Sequence, residues 1–272
     1  MSKPDLSGSV ATILRDVADE FIMPRWRCLA AHETEIKADK SLVTVADVAA
    51  EKALSERLGA LLDGPVVVGE ELAEHNPGIL DALAREDAVW IIDPVDGTRS
   101  FAEGSEDFGT MVALKYKGRL THGWIYRPVH GTMLVGEVGA GATLNGQSLM
   151  VGAPPATLGD LSVCMSHRFW PEPMRGPLIS VLADCGTQCD HINSNTTFWW
   201  LAQNQIHALL DPARRPWDVA PGVALYLAMG GRVAHLDGSD YTVRRQAGSL
   251  LYAPNIELWE RLAGRLRPHI RD

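Results

Sequence analysis

The stretch WIIDPVDGTRSF, residues 90–101, decides how this chain is read. Its apolar start, with Val89 before it, predicts a short buried strand over Val89 to Ile92. That strand delivers two acids, Asp93 and Asp96, separated by Pro94 and Val95. Pro94 is expected to turn the chain and to deny a helix at that point. Gly97 permits a tight backbone, and Thr98 opens a short helix. Two carboxylates pushed together at a strand end repel one another unless cations sit between them or one takes up a proton. An all-oxygen donor set favours hard ions, Mg²⁺ before Ca²⁺ or Mn²⁺. The helix start offers free backbone N–H groups and a positive dipole end to a phosphate. Metal binding and phosphate recognition are therefore expected on one loop.

Working outward, two more acids fall at the ends of elements. A short strand, Val66 to Val68, ends at Gly69-Glu70-Glu71, which aims Glu70 at the same cleft edge. Standing alone, that segment reads as a solvated acidic turn. Trp217-Asp218 opens a helix after Arg214-Arg215-Pro216, and Asp218 by itself reads equally well as a helix N-cap.

The rest of the pattern frames these ends. Leu6, Val10, Ile13, Leu14, Val17 and Phe21 recur at helical spacing, so a helix is expected within 6–31. A second runs from about Thr44 to Leu62. From Phe108 to Val138, runs of Val, Met, Leu, Ile and Tyr punctuated by Gly118, Gly123, Pro128 and Gly131 predict an antiparallel meander. Gly139, Gly141, Gly146 and Pro154-Pro155 read as a loop-rich boundary, which divides the chain into units 1–152 and 153–272. Beyond it strands (160–166, 187–191, 206–210, 231–236) alternate with helices (173–185, 195–204, 217–229). A strand at 248–253 and a C-terminal helix follow. The expected class is α/β (α+β), with two layered subdomains sharing a cleft.

Composition narrows the function. The 272 residues are 46% hydrophobic and 22% charged, as in an ordinary globular protein. A net charge of −9 provides no electrostatic footprint for nucleic acid or an anionic membrane surface. Such an acidic chain needs cations close by if it is to handle a phosphate. Cys28, Cys164, Cys185 and Cys189 are too few for a disulfide framework and lack a zinc-site spacing, so reduced thiols are expected. MSKPDLSGSV has no signal-peptide core, and no run of about 18 apolar residues occurs. A cytoplasmic location is expected, in which the sequon Asn195-Thr196-Thr197 is never used. His167, His191, His207 and His235 are scattered, with no spacing that suggests a triad.

Four blocks carry a resemblance: KSLVTVADVAAE (40–51), VGEE (68–71), WIIDPVDGTRSF (90–101) and PWDVAPGVALYLAMGG (216–231). In order and spacing they resemble the signature blocks of the inositol monophosphatase family, and the similarity extends over nearly the whole chain, including GATLNGQSL (141–149). The resemblance implies a layered αβαβα sandwich, a homodimer, and two or three Mg²⁺ ions per subunit. It implies that Glu70, Asp93 and the Val95 carbonyl hold one ion, that Asp93, Asp96 and Asp218 hold a second, and that Glu70 shares a third through water. Asp47 and Thr98, with Glu70, would activate the attacking water. The backbone of Gly97 and Thr98 would grip the phosphate, while Ser194 and Asp211 would touch the rest of the substrate. Lys37 or Lys40 would lie close to the metals.

The implied activity is Mg²⁺-dependent hydrolysis of a small soluble phosphate ester, inositol monophosphate-like. Arg99-Ser100 is reminiscent instead of histidinol-phosphate phosphatases in the same superfamily. Asn193-Ser194-Asn195-Thr196 replaces the family's Gly-Thr-Ala segment, and Trp199-Trp200 follows where small or aliphatic residues are usual. These departures bear on the substrate pocket. Histidinol phosphate or another sugar phosphate therefore stands as the alternative substrate. A phosphatase for adenosine bisphosphates or fructose bisphosphate ranks lower, and a regulatory protein on the same scaffold is the alternative of another class.

Overall fold

A computed structural model describes residues 5–37, 41–190, 192–213, 215–245 and 247–270. The helices are α1 (Leu6–Val17), α2 (Val45–Gly59), α3 (Glu70–His75), α4 (Ala82–Arg85), α5 (Thr98–Ala102), α6 (Glu172–Val181), α7 (Ser194–Ala202), α8 (Pro216–Ala228) and α9 (Ile256–Leu266). The first strands are β1 (Thr34–Ile36), β2 (Leu42–Thr44), β3 (Val66–Gly69), β4 (Ala88–Asp96), β5 (Gly109–Tyr116), β6 (Arg119–Arg127) and β7 (Thr132–Glu137). They are followed by β8 (Gly141–Leu144), β9 (Gln147–Leu149), β10 (Ser162–Met165), β11 (Thr187–Asp190), β12 (Ala208–Asp211), β13 (Arg232–His235) and β14 (Leu250–Ala253).

A seven-stranded sheet runs β3-β4-β5-β6-β7-β8-β9, with β3 and β4 parallel and the other pairs antiparallel. A five-stranded sheet runs β11-β10-β12-β14-β13, and β1 pairs with β2 as a separate hairpin. Apolar cores separate five layers. Val10, Leu14 and Val17 of α1 and Ala46, Ala50 and Leu54 of α2 pack on Trp90, Ile92, Val112 and Trp124 of the large sheet. Its other face meets α7 and α8, which also cover the small sheet through Phe198, Val223, Cys164, Leu209 and Tyr252. On the far side, Leu178 of α6 and Trp259 and Leu262 of α9 close the small sheet. The molecule is the expected αβαβα sandwich.

Helix α8 explains the middle layer. Its residues from Val219 to Tyr226 are all buried, as a helix apolar on every side requires. It lies so close to the large sheet that a Cβ added at Gly123 would come within 2.3 Å of the Pro221 carbonyl oxygen.

Three local expectations are corrected. The opening helix ends at Val17 and passes through a π-turn (Ala18–Ile22) into a 3₁₀ turn (Met23–Arg25), since Pro24 cannot continue an α-helix. The supposed loop after Val138 forms β8 and β9, joined at Asn145-Gly146. Both have positive φ, 47° and 81°, as a two-residue hairpin turn demands. Pro94 does not end β4: the strand continues to Asp96 across a bulge, the place in a sheet where a missing N–H is tolerated. No described helix is long and apolar enough to cross a membrane.

Candidate active site

The bulge decides where the acids point. In a regular strand, residues 93 and 96 would face opposite sides. Here Asp93 pairs with Met111 and Asp96 with Gly109, so Pro94 and Val95 together oppose Thr110 alone. The extra residue restores the parity and places both carboxylates on the face toward α8. The Thr110 hydroxyl donates to the Pro94 carbonyl at 2.9 Å and pins the irregularity.

Helix α8 meets that face with its first turn. Asp218 is its third residue, behind an N-cap at Arg215, so it does not serve as the N-cap itself. Carboxylate oxygens of Asp93, Asp96 and Asp218 all lie within 4.8 Å of one another. Parallel pairing of β3 with β4 places Gly69 opposite Ile92, and Glu70 starts α3 at the same edge. Glu70 stands outside the tight triad but lines the same cavity. Its Oε1 accepts from Lys37 Nζ at 3.2 Å and from Arg215 at 3.4 Å. Lys37 also reaches Glu71 at 2.7 Å and Glu74 at 3.2 Å. Lys40 lies outside the described residues.

Asp47 occupies the third residue of α2. Its Oδ2 accepts from the Thr44 backbone at 2.8 Å and the Thr44 hydroxyl at 2.6 Å, completing a capping box. Its Oδ1 accepts from the Thr98 hydroxyl at 3.1 Å. Thr98 also approaches the Val95 carbonyl, at 3.0 Å. Gly97, the N-cap of α5, has φ +86°, and a Cβ there would come within 2.7 Å of both Asn193 Nδ2 and the Asp107 carbonyl. Only glycine fits.

Charge repulsion dominates the site. Burial, then Glu70, Asp96 and Asp218, holds the Asp93 carboxyl well above the usual carboxylate range. Burial with Glu70 and Asp96 does the same to Asp218. Burial pushes Asp96 and Asp47 each up to about 6, and Glu71 up to about 7. The buried Asp93 Oδ1 has no hydrogen-bond donor among the described residues. A close, largely buried, oxygen-only triad with an unsatisfied oxygen suits a hard divalent cation, and the residues present fit one.

The triad forms the floor of a cavity of about 670 Å³. Gly97, Thr98, Arg99, Ser194 and Asp211 also line it, together with the apolar side chains of Phe169 and Ile192. Five lining carboxylates (Glu70, Asp93, Asp96, Asp211 and Asp218) face two guanidinium groups, those of Arg99 and Arg215. All ten residues expected at the site, except Asp47, line this cavity, and Asp47 reaches it through Thr98.

Sequence reasoning missed the residues that hold the acids in place. Asn195, read only as a sequon and a departure, is fully buried and donates to Asp96. The Ser194 backbone adds a contact to Asp96 Oδ1 at 3.3 Å. Glu51 accepts from the Glu71 and Leu72 backbones at 2.8 Å each, capping α3 and fixing Glu70. The one available signal was an acid at helical spacing from Asp47 with no exposed role.

Fold and site together define an α/β sandwich with an acidic, oxygen-only candidate metal centre. The chain belongs to the inositol monophosphatase family, whose model matches residues 9–271. It is similar to an inositol-1-monophosphatase of Caulobacter vibrioides, at 27% identity over 86% of this chain and 92% of that protein. A histidinol-phosphatase of Chlorobaculum parvum is 28% identical over 72% and 73% of the two chains. The Nus factor SuhB of Pseudomonas aeruginosa is 27% identical over 86% of each. Among solved structures, the Thermotoga maritima IMPase superposes with a TM-score of 0.78 at 20% identity, covering 95% of each chain. SaIMPase-II with inositol monophosphate bound gives a TM-score of 0.79 at 20% identity, covering 97% of this chain and 95% of that one. These two share the fold. Family and relatives support a phosphatase, a phosphoric monoester hydrolase.

Proposed function

We propose that this protein is a Mg²⁺-dependent phosphomonoesterase that hydrolyses a small soluble phosphate ester of the inositol monophosphate type by attack of water. The convergence of Asp93, Asp96 and Asp218 within 4.8 Å carries the reading. These three would hold one ion, Glu70, Asp93 and the Val95 carbonyl a second, and Glu70 through water a third. Divalent ions bound there would neutralise phosphate charge and lower the pKa of a water molecule.

The chain's own groups supply the rest. The Thr98 hydroxyl donates to Asp47 Oδ1, which leaves the lone pairs of Thr98 Oγ1 to accept from the attacking water. Asp47, raised by burial to about 6, is poised to take the proton that Thr98 relays. Backbone N–H groups of Gly97 and Thr98 at the start of α5 orient the phosphate. Ser194 and Asp211, which also line the cavity, meet the alcohol portion. The cavity has the size of a small-molecule site, roughly 300–1,000 Å³ in general. Association as a homodimer is part of the proposal.

A second reading, histidinol phosphate, is favoured by Phe169 and Ile192 lining the cavity together with Asp211, which suits a planar ring bearing a cation. The test is Mg²⁺-dependent phosphate release across inositol monophosphates, histidinol phosphate, sugar phosphates and adenosine bisphosphate. Release from one class that stops on chelation is expected. Inertness toward the whole panel would sink the enzymatic reading and favour a regulatory role.

A further inference from the structure

Cys164 and Cys189 are register partners on the adjacent parallel strands β10 and β11. Neighbouring strands lie about 4.8 Å apart, inside the roughly 4.4–6.8 Å that Cα atoms of disulfides span. Both side chains face the core shared with α7 and α8. Both are free thiols; the Cys164 thiol donates a hydrogen bond to Cys189, whose own thiol donates to the Val163 carbonyl at 3.8 Å. Cys164 is wholly buried, and Cys189 is half-buried at the sheet edge. Cys185, close in sequence, belongs to the opposite core against Leu178 and Leu182, and Cys28 is exposed. Geometry thus selects one pair among the four thiols.

The pair lies near the candidate active site. Among the described residues, β11 is an edge strand that pairs with β10. Four residues beyond Cys189, Asn193 caps α7, whose first amides hold Asp96. We propose that Cys164 and Cys189 form a reversible disulfide with low-molecular-weight disulfides of the glutathione type as oxidant, and that closing it slows turnover by shifting the edge strand that leads to Asn193. The second half rests on the phosphatase reading above.

The exchange balances in two steps. The Cys189 thiolate attacks one sulfur of the small disulfide, breaks its S–S bond and releases one small thiolate, leaving a mixed disulfide. Cys164 then loses its proton to the departing group and attacks Cys189 Sγ, forming the protein disulfide and releasing the second small thiol. Two protein thiols are oxidised and one small disulfide is reduced to two thiols. Cys189 is the entry point because it is reachable, and because the hydrogen bond it accepts from Cys164 lowers its pKa while raising that of Cys164.

A disulfide brings its Cβ atoms to about 3.8 Å, so closure draws the β11 edge inward. A displacement of about 1 Å at a reacting group can cost on the order of a hundredfold. The test equilibrates the full-length protein with Mg²⁺ in buffers of rising oxidised-to-reduced glutathione ratio. Peptide mass mapping with fragmentation and phosphate release are then followed together. The expected result is a Cys164–Cys189 cross-link, with kcat falling by about tenfold and recovering in dithiothreitol. Cys189→Ser should show neither, and Cys164→Ser should trap a glutathione adduct on Cys189. Cys164→Ala serves if the hydroxyl unfolds the core. A parent protein whose Cys189 stays open to alkylation at every ratio overturns the bond. A fully cross-linked protein with unchanged kcat overturns the coupling. The peptide map needs no catalysis, so failure of the bond is distinguishable from failure of the phosphatase reading.

Discussion

Asn195 holds Asp96 three times over: its backbone N–H donates to Oδ2 at 2.6 Å, its side-chain Nδ2 to the same oxygen at 2.5 Å, and Nδ2 again to the Asp96 carbonyl at 3.2 Å. An acid from the large sheet is thereby fixed by a helix start that leads out of the small one. Charge-assisted hydrogen bonds of this kind contribute about 1.5–3 kcal/mol each. Asn195→Ala keeps the backbone contact and loses the side-chain pair. It should cost about 2 kcal/mol in urea unfolding and lower kcat at least about tenfold through misplacement of Asp96. An unchanged kcat would show that Asp96 is positioned by other means.

Asp93 has a crowded carboxylate, with Glu70, Asp96 and Asp218 all opposing its charge. Asp93→Asn is expected to reduce turnover by about a hundredfold or more, since it removes a charged ligand shared by two of the three proposed ions. In chelator at pH 8 the same variant should be more stable than the parent by about 1–2 kcal/mol, because one buried like charge is gone. Thermal unfolding with and without Mg²⁺ reads both signs. A variant less stable than the parent in chelator would contradict the repulsion.

Proton linkage sets the pH dependence of the metal-free protein. Asp47 and Asp96 titrate at about 6 and Glu71 at about 7 when folded, whereas unfolded carboxyls titrate at roughly 4. Between those values the folded chain binds more protons, so stability falls as pH rises. The contribution is complete below about pH 4 and is lost through pH 6–7. Urea midpoints in chelator should therefore drop from pH 5 to pH 8. Saturating Mg²⁺, which binds the ionised carboxylates, should flatten or reverse the trend. A rise in the midpoint in chelator would refute the linkage.

Lys37 is the buried cation among Glu70, Glu71 and Glu74, with 7% of its side chain exposed. Lys37→Met leaves those acids without their shared counter-charge, at a cost of about 3 kcal/mol. Mg²⁺ should restore part of that loss by acting as counter-charge to Glu70. Equal destabilisation with and without Mg²⁺, measured by denaturant melts, would show that the lysine and the proposed ion do not share Glu70.

The sequence pattern and the fold diverge where partners are distant. Asp93 and Asp96 could be picked out because they end an apolar run that announces a strand, whereas Glu70 and Asp218, which alone read as an acidic turn and an N-cap, were joined to them by the motif resemblance. The bulge at Pro94-Val95 could not be picked out, because a proline after a strand reads as a stop, and only pairing with β5 shows that the strand continues. Asn145-Gly146 looked like loop punctuation although the same pair is a hairpin signal. Glu51 and Asn195 were invisible as positioning residues because their partners lie 20 and 99 residues away.

From the one-dimensional pattern alone came the α/β class, the absence of a footprint for nucleic acid, and acids placed at the ends of elements, while the resemblance of four motif blocks to the family added the αβαβα layering and joined those acids into one site. Periodicity, charge and motif order need no partner to be visible. The three-dimensional arrangement decided that Asp93 and Asp96 share a face, that Asp218 completes the triad, that Lys37 answers Glu70, and that Cys164 stands opposite Cys189. Register, burial and electrostatic coupling arise only between segments far apart in the chain, so no single stretch of residues contains them.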